Sequence, residues 1–127
     1  MDDGQGRVKG SVVRDKSFAF AVRVVRLCQH VQQERREYVL SKQLLRSGTA
    51  IGALIREADQ AESRADFVHK MSIALKEANE SEYWIQLLKE TGYIDAKGAE
   101  SIGSDLTEIL KLLVAIVKKN KEIMGDG

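Results

Sequence analysis

The stretch Ser63–Thr91, SRADFVHKMSIALKEANESEYWIQLLKET, decides the fold. Phe67, Met71, Ala74, Ala78, Ser81, Ile85 and Leu88 recur three and four residues apart, the spacing that lines up one face of an α-helix. Val68, Leu75, Trp84 and Leu87 flank that stripe, and charged or amide side chains fill the other side. Both ends carry boundary signals. Ser63 precedes Asp66 by three residues, the spacing of a capping box with Asp in place of the usual Glu. Gly92 follows the last apolar position, where a left-handed residue closes a helix, and Tyr93 and Ile94 can pack back on that end. The pattern predicts one uninterrupted helix of about seven turns.

The flanking segments repeat the rhythm. Leu40, Leu44, Ser47, Ile51, Leu54, Ala58 and Ala61 predict a helix from Glu37 or Tyr38 to about Gln60. Its middle is built of small residues, with Gly48 and Gly52 four apart on one face. A glycine inside a helix costs about 1 kcal/mol relative to alanine, so two of them point to a neighbouring backbone that comes close there. On the other side, Ile102, Leu106, Ile109, Leu113, Ile116 and Ile123 predict a helix that begins between Ala96 and Ser104 and is firm from Asp105 to about Ile123. Asp95 is placed to cap it, and Lys118, Lys119 and Lys121 complement its dipole.

Before all of these, Phe18, Ala21, Val22, Val25 and Cys28 keep helical spacing over about Lys16–Glu34, and Phe20, Val24, Leu27 and Val31 widen the apolar surface. A helix packed on one side needs an apolar arc of a little over about 100°. This arc is wider, which places the helix either centrally in the bundle or, the favoured reading, against a second copy of the chain that covers part of it.

The chain has 127 residues, enough for one domain, and no proline to interrupt a helix. Short connections make consecutive helices antiparallel. The fold class read from the sequence is all-α, an antiparallel up-down-up-down four-helix bundle over 14–124. A flexible tail is expected over 1–13 and a disordered terminus over 125–127. No run reaches the roughly 18–20 apolar residues of a membrane span, and Met1–Gly10 lacks the apolar core of a secretory signal. Together with the single cysteine, Cys28, this predicts a cytoplasmic protein with no membrane partner.

Net charge is +1, and its distribution carries more information than its size. Residues 1–36 hold eight Lys/Arg against four Asp/Glu, and residues 62–95 hold four against seven. Complementary packing of helices or subunits accounts for this; a basic face for phosphates is the sharper alternative. Arg23, Arg26, Lys42 and Arg46 are the candidate nucleic-acid-binding residues, drawn from a basic set that also includes Arg14, Lys16, His30, Arg35 and Arg36. Nothing resembles a stacking platform for bases, so contact with RNA or DNA would run through phosphates.

Catalytic readings find no support. A di-iron bundle needs two Glu-x-x-His pairs and two more carboxylates; Asp66-x-x-His69 occurs once, with the wrong carboxylate, and Leu27 stands three before His30. Cys28 lies on an apolar arc, where a thiol packs as a small hydrophobe. Gly48 and Gly52 sit inside a helix and cannot form a phosphate loop. The sequence therefore predicts no enzyme, no metal, no cofactor and no small-molecule substrate.

The run Leu44-Leu45-Arg46-Ser47-Gly48-Thr49-Ala50-Ile51-Gly52-Ala53 with Glu57-Ala58 resembles the second helix of the four-helix-bundle proteins encoded by intervening sequences of bacterial 23S rRNA genes. Asp66-Phe67, Lys70–Ala78 and Glu82-Tyr83-Trp84 resemble their third helix. The resemblance spans roughly residues 16–120, and its motifs are packing residues. Leu54 departs from the pattern, where an Asn is expected. The resemblance implies a homopentameric ring similar to the accessory variability protein of diversity-generating retroelements, which binds nucleic acid and a reverse transcriptase through basic surface. It implies no catalytic residues. The alternative is a protein–protein adaptor with no nucleic-acid role.

Overall fold

A computed structural model describes residues 4–125, and their side chains from residue 12 onward. Four helices follow one another: α1 (Gly4–Arg35), α2 (Val39–Ala58), α3 (Arg64–Glu90) and α4 (Ala96–Ile123). Cross-helix contacts fix the directions. Arg14 meets Asp59 while Cys28 meets Ser41, and Lys70 meets Glu57 while Arg46 meets Glu80, so α1 runs against α2 and α2 against α3. Helices adjacent in sequence pack on one another around a square, with α4 closing on α1, and among the described residues the diagonal helices make no close backbone approach.

The helix ends follow their local chemistry. Ser63 Oγ accepts the Asp66 N–H at 3.0 Å, and Asp95 Oδ1 accepts the Gly98 N–H at 2.6 Å. Gly92 takes φ +83°, and the Tyr93 and Ile94 N–H groups donate back to the Leu88 carbonyl. The α1–α2 turn instead uses Arg36 at φ 56°, a left-handed conformation that a β-carbon disfavours.

α1 starts earlier than the Lys16 expected from its apolar spacing. The helix begins at Gly4, and Val13 is buried, so the packed bundle reaches back at least to Val13. No proline breaks this segment, and Val12 and Val13 extend its apolar content beyond Lys16. Residues 1–3 and 126–127 lie outside the described residues.

Core stripes also shift: on α3 Val68 is buried in place of Phe67, and on α4 Val117 is buried in place of Ile116 while Ile123 is exposed. On α1 the buried positions are Val13, Ser17, Phe20, Val24, Cys28 and Val31, while Phe18 and Val25 face out. The arc was wide enough to hold two candidate stripes, and periodicity alone could not choose between them. On α2, Ser41 and Ile55 are buried where Leu40 and Leu54 were expected; Leu54 is half-buried against the core. The buried serines all have partners. Ser17 donates to Arg14 O, Ser41 to Glu37 O, and the Ser47 and Ser81 hydroxyls pair at 2.9 Å between α2 and α3. Those partners remove the penalty of burying a hydroxyl.

Candidate functional site

Gly48 and Gly52 both lie against α1. A β-carbon at Gly48 would stand 2.9 Å from both Val24 γ-methyls, and one at Gly52 would stand 3.3 Å from Ser17 Oγ. The small residues of α2 thus set how closely the first two helices approach.

The four candidate cations separate into two pairs. Arg23 reaches across the α1–α4 seam to Asp105 at 2.6 Å and donates to the Ser101 hydroxyl and carbonyl. Arg46 reaches across the α2–α3 seam to Glu77 at 3.2 Å and Glu80 at 2.6 Å. These seams lie on opposite sides of the square, so one protomer does not gather Arg23 and Arg46 on one surface. Arg26 lies three residues after Arg23 and Lys42 one turn before Arg46; both are exposed, and neither makes an ion pair among the described residues.

Three residues of the wider basic set are also engaged. Lys16 pairs with Glu108, Arg14 with Asp59, and Arg35 donates to the Gly92 carbonyl while its guanidinium lies over the Tyr93 ring. Arg14, Lys16 and Arg23 of the basic N-terminal third are thus neutralised by α4 and the end of α2. The acidic α3 is met by Arg46 of α2, which pairs with Glu77 and Glu80, while Lys70 of α3 pairs with Glu57 of α2. Separations of 13 to 92 residues hid these pairings from any reading along one helix.

Around Arg46 the contacts form a closed group. The Trp84 indole N–H donates to Glu80 Oε2 at 3.0 Å, and this bond together with Arg46 holds the Glu80 carboxyl below its ordinary value. Tyr83 packs edge-on against Trp84, with ring centroids 5.0 Å apart, and stays largely exposed.

The buried titratable groups cluster at the α1–α2 turn. Glu37 precedes α2 and its carboxylate accepts the N–H groups of Val39, Leu40 and Ser41 at 2.8–2.9 Å. Burial opposes its charge, but these donors prevail and its pKa falls. The sequence offered Glu37 only as a possible helix start. Cys28 Sγ donates to Ser41 O at 3.3 Å, and burial, aided by the nearby Glu37 charge, pushes the thiol up to about 11. At neutral pH Cys28 is a protonated, buried thiol, a poor nucleophile. His30 and His69 are exposed, and among the described residues no three of His, Cys, Asp and Glu gather as metal ligands. No described helix is long and apolar enough to cross a membrane.

One surface is left without a cover. Phe18, Val22 and Val25 share the outward face of α1; Phe18 is 57% exposed and Val25 36%. Phe18 is flanked by Arg56 of α2, whose guanidinium lies 5.5 Å from the ring centroid.

These features define an all-α protein of the antiparallel four-helix-bundle class. The chain belongs to the 23S rRNA-intervening sequence protein family, matching it over residues 9–115. It is similar to a crystal structure from Bacteroides thetaiotaomicron, described as a protein with unknown function from the S23 ribosomal protein family. The two are 60% identical, with a TM-score of 0.85 over 87% of this chain and 98% of that one. None of the curated proteins matches the chain. Nothing in these similarities indicates catalysis.

Proposed function

We propose that the protein is a non-enzymatic scaffold whose copies associate through the outer face of α1, and that the assembly holds RNA or DNA weakly through exposed cations. The observation that carries this reading is the Phe18–Val22–Val25 stripe, an apolar strip that faces out from the bundle, flanked at Phe18 by Arg56 of α2. Burying such side chains stabilises association by about 1.5–3 kcal/mol each when burial is complete. The five-membered ring implied by the family resemblance would repeat every exposed cation five times around one axis.

Arg26 and Lys42 lead the polyanion reading, because Arg23 and Arg46 already neutralise carboxylates of their own chain. Binding should therefore be weak and steep in salt. Titrating structured RNA at increasing salt tests it. Arg26→Glu/Lys42→Glu should abolish binding without changing stability, whereas Arg23→Glu should perturb the α1–α4 seam first. Absence of binding at low salt, or unchanged binding in the Arg26/Lys42 variant, removes the nucleic-acid reading. The neutralisation of Arg23 and Arg46 favours the second reading, a protein–protein adaptor. That reading predicts a monomer whose α1 face takes up a different protein.

A further inference from the structure

At the end of the bundle where α4 finishes, side chains of all four helices surround a cavity of about 600 Å³. This lies within the roughly 300–1,000 Å³ range of small-molecule sites. Val13, Ile55, Phe67, Met71, Leu112 and Ile116 supply apolar walls, and Met71 brings a flexible thioether that adapts to an irregular occupant. At the lip, Val12 and Ile123 are 40% and 56% exposed, so the apolar lining continues outward.

The polar groups of the lip are unequal in sign. Arg64 and Lys119 stand on α3 and α4, and Asn120 Oδ1 accepts from the Arg64 guanidinium and orients it. Among the described residues the one carboxylate there, Asp59, is already faced by Arg14 at 3.6 Å. Apolar walls beneath two cations match a molecule with a long apolar part and a single negative end. The second cavity of similar size, about 580 Å³ between α3 and α4, differs in this respect: Glu82, Lys89, Lys97 and Glu100 line it with both signs.

We infer that the end cavity binds a single-chain anionic amphiphile, a fatty-acid-like carboxylate whose chain lies along Phe67, Leu112 and Ile116 over a floor of Ile55 and Met71 and whose head meets Arg64 and Lys119. A monomeric amphiphile is the occupant, not a bilayer, because the walls converge from four helices on one chain-sized space. The inference is independent of the assembly reading, since it uses none of Phe18, Val22 and Val25.

A chain-length series of hexanoate, octanoate and decanoate, followed by methyl NMR on the whole protein, tests it. Decanoate should shift the Ile55, Met71, Leu112 and Ile116 methyls saturably and leave Ile85 and Ile94, outside the cavity, unmoved. Affinity should rise roughly three- to fourfold per added methylene. Decylammonium should bind less well than decanoate. Arg64→Glu/Lys119→Glu should weaken decanoate by about tenfold and favour the cation, with unmoved Ile85 and Ile94 signals showing that the variant folds. Anionic phosphatidylglycerol vesicles should not carry the protein in flotation. Any one of four results overturns the site: no saturable shift, shifts spread to the Phe18 face, equal binding of decylammonium, or capture by vesicles without response to decanoate.

Discussion

Val24 of α1 fills the space that Gly48 of α2 leaves open. A β-carbon at residue 48 would sit 2.9 Å from both Val24 γ-methyls and 3.3 Å from its β-carbon. Val24 is β-branched and fully buried, so it has no free rotamer to retreat into. Gly48→Ala should therefore destabilise the bundle by about 1–2 kcal/mol, because overpacking outweighs the ~1 kcal/mol gained in helix propensity. Gly52→Ala meets only Ser17 Oγ at 3.3 Å and ordinary contacts beyond it. It should be neutral or slightly stabilising. Urea unfolding of the two variants checks the contrast, and Val24→Ala should partly rescue Gly48→Ala.

Glu37 should make the fold acid-sensitive. Its folded pKa lies below the ordinary value of 4.5, so its contribution is complete above that value and disappears as pH falls through the lower folded one. Glu37→Gln should cost about 0.5–2 kcal/mol at neutral pH, the scale of a lost helix cap. The gap between variant and parent should close on the acid side of pH 4.5. A pH series of unfolding curves measures this, and a gap independent of pH would mean that the carboxylate charge is irrelevant.

Arg36 occupies a left-handed position at φ 56°. Its replacement by glycine removes the β-carbon conflict, at some cost in unfolded-chain entropy. Arg36→Gly should stabilise by about 0.5–1 kcal/mol and raise the melting temperature. A lower melting temperature would show that the arginine side chain matters more than its backbone.

Cys28 should react with an aromatic disulfide reagent only as the bundle opens. Its thiol is buried and titrates near 11, so the native thiolate fraction at neutral pH is very small. Labelling should accelerate in urea in step with unfolding, and Glu37→Gln should speed it further by exposing the turn. Rapid labelling of the native protein would contradict the burial.

The third and fourth helices were the most legible parts of the chain. Ser63, Gly92 and Asp95 mark ends by chemistry local to the turn, and from Met71 to Leu88 the apolar stripe of α3 is narrow enough to admit one register. The first helix was less so, because its arc holds both the Val13–Val31 stripe that is buried and the Phe18–Val25 stripe that faces out. What separates them is the position of α2, a contact distant in sequence. The same limit applies to Arg23 and Arg46. Their helix positions could be read, but Asp105 and Glu77 lie on other helices, so their neutralisation could not. Glu37 escaped for a different reason: a carboxylate two residues before a helix start is usually solvated, and only the tight turn at Arg36 folds it onto three backbone donors.

Association through α1 is the claim on which the functional reading depends. Multi-angle light scattering of the purified protein, beside Phe18→Glu/Val25→Glu, tests it most directly. The account predicts a parent mass several times the 14.2 kDa of one chain, five times for the proposed ring, and a folded single-chain mass for the variant. A parent that stays at 14.2 kDa across the concentration range, or a variant with undiminished mass, would contradict it.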